Sequence, residues 1–201
     1  MRDAEGNLVD TENRPNTMAR YFESIQWQVR FPTLVPEKEN LLHGILPVRL
    51  TKFSLEELGV VLRKLKLGKA SGHDDVPSDF WKHVLSNPEA CSELLQLCNH
   101  CWESQKVPKS WRLSKVVLLF KKGDPTLPEN YRPISLLPVG YKVLAALIHQ
   151  RLLDGGVDAK IRESQYGFRP KRNCADALTL VRRIIDAAHE NKSEALIMVF
   201  F

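Results

Sequence analysis

One basic group in the chain has residue types and a spacing that suit phosphate binding. Lys121 and Lys122 end an apolar run that begins at Lys115, and Arg132 follows after a short polar linker. A planar guanidinium can hold phosphate oxygens with two parallel hydrogen bonds, and an ammonium group adds a compact charge. Because these cations lie at the end of a strand and on the next segment, we expect them to grip a polyphosphate from two sides. Which of the two lysines makes the contact stays open.

A second basic group surrounds the loop from Gln165 to Pro170. Tyr166 and Phe168 alternate there with cations, so the rings can stack on bases while Arg169 and its basic neighbours meet phosphates. The alternative interpretation is a set of solvated charges around a core. The arrangement of the charges around glycine and proline turns favours a nucleic-acid contact.

The elements that position these groups are predicted from hydrophobic periodicity and turn residues. A strand is expected from about Ser114 to Phe120, followed by a turn at Gly123. Ser54 and Glu57 form a capping box that begins a helix. Further helices are predicted at about 78–85, 89–103 and 141–153 and after Pro170, the last with an inner face of Ala175, Leu178, Val181, Ile185 and Ala188.

The two ends of the chain differ in character. Residues 1 to about 20 are polar and are predicted to be poorly ordered, and prolines between residues 31 and 47 indicate a linker. The run from Ala195 to Phe201 is unbroken and apolar, which predicts a buried strand. Because a natural domain seldom ends inside such a strand, we expect the chain to be a fragment.

Composition bounds the class of protein. The 201 residues carry a formal net charge of +5, with 43% hydrophobic and 26% charged residues, which indicates a globular chain biased toward anionic partners. The sequence lacks a signal peptide and any apolar run near the roughly 20 residues of a membrane helix. Three of the four cysteines fall in one predicted helix, so a disulfide framework is not expected. We therefore expect a soluble, intracellular protein of the nucleus or cytoplasm.

Four motifs, in this order, resemble the reverse transcriptase (RNA-directed DNA polymerase) of non-LTR, LINE-like retrotransposons. They are the loop Lys69–Pro77, the pair Lys121–Lys122 with Gly123–Asp124, the segment Asn130–Leu136, and the segment Gln165–Pro170. The resemblance runs from about Leu50 to Phe201. It divides the chain into residues 1–46, a partly disordered N-terminal connector, and residues 47–201, part of the reverse transcriptase domain.

The resemblance implies an α/β (α+β) fold: the helix-rich fingers region of a right-hand polymerase, with a short sheet and the first palm strand. It also implies roles for the two basic groups. Lys121 or Lys122 together with Arg132 would contact the incoming dNTP. Gln165, Gly167, Phe168 and Arg169 would line the template path, with Gly167 letting the backbone approach the strand closely.

Polymerase chemistry requires carboxylates that hold two metal ions about 4 Å apart. In this family the first catalytic aspartate follows an apolar strand like residues 195–201, and a second carboxylate pair lies further on. No catalytic or metal-binding residue is therefore assigned. The resemblance implies Mg²⁺ in the complete enzyme but none on these residues, an RNA template, a DNA primer and dNTP as partners, and palm and thumb supplied in cis.

The function expected from the resemblance is template and dNTP binding without polymerisation by the fragment alone, so its standing as an enzyme is left open. One alternative is a non-catalytic RNA-binding module. Another is the product of a decayed retroelement.

Two patterns that imitate metal sites are interpreted as structural. Asp74 and Asp75 lie in a loop ahead of a helix, where hydrated carboxylates are ordinary. His73 and Asp75 stand where the family that the chain resembles usually has proline and glycine, and these two substitutions are expected to loosen the loop or to mark a decayed copy. Cys98 and Cys101 lack a second ligand pair at a zinc spacing and are expected to be core thiols. Cys174 is likewise expected to be a small buried residue.

Overall fold

The computed structural model describes residues 1–28 and 45–191, and these residues form two compact units. Residues 1–28 and 50–150 make up one, which we call the hairpin unit. Residues 45–49 and 151–191 make up the other, which we call the loop unit. The predicted linker lies mostly outside the described residues, and the apolar run 195–201 lies wholly outside them. The predicted boundary at residues 46–47 stays a prediction.

Helices dominate the hairpin unit. They are α1 (Arg14–Ile25), α2 (Leu55–Lys64), α3 (Ser78–His83), α4 (Pro88–Ser104) and most of α5 (Val139–Asp154), with short 3₁₀ turns at Val84–Ser86, Lys109–Arg112 and Pro128–Asn130. Within the described part of the chain, no helix is both long enough and apolar enough to cross a membrane.

Two of these helices begin at side-chain caps. The Ser54 hydroxyl accepts the Glu57 N–H at 3.2 Å, and the Glu57 carboxylate accepts the Ser54 N–H at 2.8 Å, so the predicted capping box is confirmed. Asn87 caps α4 by accepting the Ala90 N–H at 3.1 Å. Each cap satisfies backbone donors that a helix start otherwise leaves unpaired.

The core of the hairpin unit lies between the apolar faces of α2, α4 and α5. Its buried residues are Phe53, Leu58, Val61, Leu62, Val84, Leu94, Cys98, Cys101, Trp111, Val139, Val143, Leu144 and Leu147. Trp111 is only 8% exposed, and its ring lies so close to Gly140 that an added Cβ there would be 2.8 Å from it. The Trp111 ring is therefore part of the core and is not exposed for stacking on a base.

One β-hairpin projects the predicted phosphate-binding residues. Strands β1 (Lys115–Phe120) and β2 (Tyr131–Leu136) pair antiparallel, from Lys115 opposite Leu136 to Phe120 opposite Tyr131. Among the described residues this two-stranded ribbon is the only sheet. The α/β class is thus confirmed as a helix-rich structure with a short sheet, and the assignment to polymerase fingers stays a prediction.

The loop unit contains the end of α5, α6 (Val157–Lys160) and α7 (Cys174–Glu190). An unexpected capping box of Asn173 and Asp176 begins α7. Its predicted inner face is not buried: Leu178 is 68% and Ile185 37% exposed. That prediction is wrong for the described residues, because no element among them covers this face.

The N-terminal residues are more regular than their composition predicts. Helix α1 begins at Arg14 and buries Met18 and Phe22, which are 3% and 6% exposed. Phe22 packs edge-on against Tyr21, with ring centroids 5.2 Å apart. Proline near the helix start and these two apolar anchors explain why a polar segment forms a helix here.

Candidate functional site

The register of the hairpin determines which side chains share a face. Leu119 lies opposite Arg132, and Phe120 lies opposite Tyr131. The Phe120 and Tyr131 rings are 5.4 Å apart, which shows that this pair projects to one side of the ribbon. Because side chains alternate along a strand, Leu119 and Arg132 project to the opposite side.

Lys121 continues this alternation beyond β1. Its backbone N–H donates to the Asn130 carbonyl at 2.8 Å, so the ladder extends by one pair. By this alternation we expect the Lys121 side chain on the face of Arg132, whereas Lys122 lies in the bend that follows the ladder. Diagonal cross-strand neighbours lie about 7–8 Å apart, within reach of long side chains. Lys121 thus occupies the position diagonal to Arg132 across the extended ladder, and Lys122 lies beyond it.

The charges of this group are not neutralised within the protein that is described. Lys121, Lys122 and Arg132 are exposed, and no ion pair or hydrogen bond joins their side chains to any group in residues 1–28 or 45–191. Lys115, at the other end of β1, differs: its Nζ donates to Asp75 Oδ1 at 3.2 Å. The cations nearest the hairpin tip are therefore available to an anionic ligand.

Residues 121–130, which we call the tip loop, are braced by their own polar groups. The Asn130 amide donates to the Asp124 carbonyl at 2.9 Å, and the Tyr131 hydroxyl donates to the Pro125 carbonyl at 2.9 Å. Gly123 has φ of +93° and a Cβ there would lie 2.8 Å from the Asn130 amide nitrogen, so a larger residue does not fit. The bracing limits how far Lys121 can move relative to Arg132.

Residues 161–173, which we call the exposed loop, are organised around a buried arginine. Arg169 Nε donates to Asp158 Oδ1 at 3.0 Å, and Nη2 donates to Asp158 Oδ2 at 3.2 Å. Nη1 donates to the carbonyls of Arg162 and Gln165 at 3.0 and 3.3 Å. The Arg169 side chain is 6% exposed. Its hydrogen bonds lower the pKa of Asp158 and raise the pKa of Arg169.

The loop held by Arg169 projects an aromatic ring into solvent. Phe168 is 110% exposed relative to its reference value and has φ of +61°. Large side chains rarely adopt this left-handed conformation, and burial of the ring does not compensate for its cost. An exposed aromatic ring is available to stack on a base.

Neither the backbone conformation nor a close contact among the described residues requires glycine at position 167, next to this ring. The φ of Gly167 lies outside the left-handed region, and the nearest atom to an added Cβ is the Gln165 side-chain nitrogen at 3.4 Å. That nitrogen also donates to the Gly167 carbonyl at 3.1 Å. The space beside Gly167 is therefore open to a ligand.

Arg172 fixes the other aromatic residue of the exposed loop. Its guanidinium lies 5.7 Å from the centre of the Tyr166 ring, and its Nη2 donates to the Glu163 carboxylate at 2.7 Å. The predicted site residues thus fall into two groups, one in each unit. Their contacts with ligands stay predictions.

The patterns that imitate metal sites behave as structural features. Asp75 has φ of +51° and pairs with Lys115, which ties its loop to β1. Cys98 and Cys101 are buried, as expected, whereas Cys174 is exposed and its predicted burial is wrong, because no described element packs on that side of α7. Within the described ranges, no cluster of three or more His, Cys, Asp or Glu side chains could hold a metal ion.

Sequence reasoning missed three parts of the site. Asp158 is 11 residues from its partner Arg169, with no local motif to link them. The bracing role of Asn130 is the second, because its amide donates to the Asp124 carbonyl six residues away and no local motif predicts that partner. The hydrogen bond from the Arg2 N–H to the Thr126 carbonyl in the tip loop, 2.7 Å long, is the third, because contacts between distant segments leave no periodic signal.

Comparison with known proteins gives a family match that covers both groups of predicted site residues, at the hairpin and in the exposed loop. Residues 120–200 match the family of reverse transcriptases (RNA-dependent DNA polymerases). This range includes the tip loop, β2 and the exposed loop. It excludes α1 to α4, so the match rests on the segments that carry the predicted site residues.

Curated relatives extend the similarity toward the N-terminus. An RNA-directed DNA polymerase from the mobile element jockey of Drosophila melanogaster is 32% identical over 150 residues, 73% of this chain and 16% of that protein. A probable RNA-directed DNA polymerase from transposon BS of the same fly is 28% identical over 90% of this chain and 20% of its own length. A Pol polyprotein from the type-1 retrotransposable element R1 of Bradysia coprophila is 26% identical over 92% of this chain and 18% of its length. The chain spans about a fifth or less of each of these three relatives.

Proposed function

Because the chain carries part of a reverse transcriptase domain of the non-LTR retrotransposon type, we propose that it binds the incoming dNTP and the template strand during RNA-directed DNA synthesis. Lys121 and Arg132 bind the triphosphate from the tip of the hairpin. Gln165, Gly167 and Phe168 contact the template from the exposed loop. The hairpin belongs to the fingers of the complete polymerase.

The shared face of Lys121 and Arg132 is the observation that carries the nucleotide assignment. Both side chains are exposed and without partners among the described residues, and strand alternation favours the side opposite the Phe120–Tyr131 ring pair for both. The guanidinium supplies parallel donors for phosphate oxygens, and the ammonium group adds a second positive charge. Register favours Lys121 over Lys122 as the phosphate ligand.

The template assignment rests on Phe168 and Gly167. A fully exposed ring stacks on a base without regard to sequence, which suits an enzyme that copies any template. The open space beside Gly167 lets a sugar–phosphate backbone come within contact distance. Arg169 serves this surface by holding the loop, because its guanidinium already has the Asp158 carboxylate and three carbonyls as partners.

The remaining parts of the reaction are assigned to the complete polymerase. Mg²⁺ supplies Lewis-acid activation and charge neutralisation in phosphoryl transfer. The described residues do not fit such a site, because they contain no cluster of three or more potential ligands. We assign no part of the primer site, the palm or the thumb to these residues. We place the activity in the nucleus or cytoplasm.

Triphosphate binding by single-residue variants tests the nucleotide assignment. Isothermal titration of the 201-residue chain with dTTP and Mg²⁺ compares Lys121→Gln, Arg132→Gln and Lys122→Gln. Removal of one charged hydrogen bond should raise the Kd about 10-fold or more at Lys121 and Arg132. Lys122→Gln and the surface control Lys106→Gln should stay within about 2-fold of the wild type. Equal losses at Lys121 and Lys122, or no measurable binding, would contradict the assignment.

The second candidate is a non-catalytic RNA-binding module, favoured by the same exposed Phe168. It predicts binding of RNA that depends on Phe168 with no measurable affinity for triphosphates. Binding of both ligands, each lost through its own set of variants, supports the polymerase role. Under either candidate function, the affinity of the protein for nucleic acid should fall steeply as the salt concentration rises, because phosphate contacts release counterions.

A further inference from the structure

The first nine residues fold into a closed turn. The Asp3 carboxylate accepts the backbone N–H groups of Glu5 and Asn7 at 3.1 and 2.8 Å. Arg2 pairs with Leu8 as an antiparallel bridge, and the Arg2 guanidinium donates to the Gly6 carbonyl at 2.7 Å. A segment of this composition, expected to be poorly ordered, is thus held by hydrogen bonds at both ends of the turn.

This turn lies against the tip loop. The backbone N–H of Arg2 donates to the Thr126 carbonyl at 2.7 Å, a contact between residues 124 positions apart in the chain. Thr126 in turn donates its N–H to Asp124 Oδ1 at 2.8 Å. That hydrogen bond, with a smaller contribution from the charge of Arg2, lowers the pKa of Asp124. The N-terminal turn and the tip loop therefore form one connected set of hydrogen bonds.

Helix α1 approaches the other side of the tip loop. Residues of α1 and Glu129 line one cavity of about 560 Å³, with Tyr21, Phe22 and Ile25 on the helix side. Met18 and Phe22 are buried, so the helix is packed rather than free. The loop between Lys121 and Arg132 is thus contacted near its middle by Arg2 and bordered near its end by α1.

We propose that residues 1–25 are a positioning element for the tip loop, and through it for Lys121 and Arg132. The proposal rests on the proposed function for its effect on nucleotide binding. Neither the turn nor α1 touches the ligand in this account. They restrict the loop that sets the separation of the two cations, so that the entropy of ordering the loop is lost on folding and not on nucleotide binding.

Two substitutions at Arg2 separate its backbone donor from its charge. Arg2→Pro removes the N–H that Thr126 accepts, whereas Arg2→Gln keeps the N–H and removes the charge. In the full chain, hydrogen exchange at the amides of Leu127 and Asn130 should be about 3- to 10-fold faster in Arg2→Pro, and within about 2-fold of the wild type in Arg2→Gln. Both amides donate within the tip loop, to Asp124 and Leu127. Amides of α4 serve as the internal reference.

A second pair of variants, at Asp3, alters the N-terminal turn but leaves the donor and acceptor of the Arg2–Thr126 hydrogen bond in place. Asp3→Ala removes the acceptor for two backbone N–H groups, whereas Asp3→Asn keeps an acceptor oxygen. Asp3→Ala should reproduce the faster exchange of the tip loop, and Asp3→Asn should not. Equal exchange rates in Arg2→Pro, Arg2→Gln and the wild type would overturn the inference, as would a tip loop unaffected by Asp3→Ala.

Nucleotide binding then distinguishes positioning from general stability. Arg2→Pro should raise the Kd for dTTP about 3- to 10-fold and leave the affinity for an RNA–DNA hybrid and the unfolding midpoint unchanged. Faster exchange with an unchanged dTTP Kd would overturn the positioning role. If the wild type binds no triphosphate, the proposed function fails, and the exchange experiment still decides whether residues 1–25 restrain the loop.

Discussion

Arg169 and Asp158 form a two-point ion pair, with Nε and Nη2 of the guanidinium 3.0 and 3.2 Å from the two carboxylate oxygens. The pair also places an arginine nitrogen 2.9 Å from the Asp158 backbone carbonyl. The arrangement explains how a loop whose tip residue, Phe168, is fully exposed can keep one conformation.

Replacement of Arg169 by lysine tests whether this residue holds the loop or binds phosphate directly. Arg169→Lys keeps the charge but cannot supply the fork of donors. We expect faster proteolysis within residues 161–173 and an affinity for an RNA–DNA hybrid about as low as in Arg169→Ala. Limited proteolysis and fluorescence anisotropy measure the two effects. Retention of most of the affinity in Arg169→Lys would indicate direct phosphate binding.

The ring of Phe168 should matter for binding and not for stability. Phe168→Ala is expected to weaken hybrid binding by about 1–3 kcal/mol, the value for one base stacked on an aromatic residue. Because the side chain is fully exposed, the thermal midpoint should stay the same. Phe168→Tyr keeps a stacking surface and serves as the matched control. A drop in the midpoint without a loss of affinity would show a structural role.

Substitution of Gly167 probes the open space beside the loop. Gly167→Ala meets only the flexible Gln165 side chain at 3.4 Å, so folding should be unaffected. We expect weaker binding of the hybrid, because the added methyl group occupies the path of the strand. Circular dichroism and anisotropy report the two properties. Unchanged affinity in Gly167→Ala would remove the argument that a strand passes here.

The buried thiol of Cys98 should make stability depend on alkaline pH. Burial raises the pKa of Cys98 from 9.0 to about 12. The unfolded thiol ionises first, so stability should be fully present below about pH 9 and should fall as the pH rises toward 12. Urea unfolding between pH 8 and 11 measures the free energy of unfolding, which should fall less steeply with pH in Cys98→Ala than in the wild type. Cys174→Ala, which changes an exposed thiol, should leave the slope unchanged.

Primer extension tests the division between binding and chemistry. If residues 1–201 bind the template and the dNTP but do not carry out the chemistry, the 201-residue chain should bind a primer–template without extending it. A gel assay with Mg²⁺ and all four dNTPs measures this, with an active polymerase on the same substrate as the positive control. Extension that is lost in Lys121→Gln would contradict the expectation.

Local signals predicted much of the fold. The sequence shows two such signals directly: the capping box at Ser54 and Glu57, and the apolar spacing of α2, α4 and α5. Both patterns connect residues that are only a few helical turns apart in the chain. The motifs around Lys121, Arg132 and Gln165 likewise indicated the family that the comparisons then matched. Exposure of α7 was not predictable, because amphipathic spacing does not say what covers the apolar face.

The sequence by itself determined which residue types are present at the two candidate sites, and their order along the chain. Only the tertiary structure decided that Leu119 lies opposite Arg132 and that the Lys121 N–H extends the ladder to Asn130, because strand register depends on pairing across the hairpin. It also decided that Asp158 holds Arg169 and that Arg2 contacts Thr126. These contacts join residues far apart in sequence, where loop closure and packing, and not local preference, set the partner.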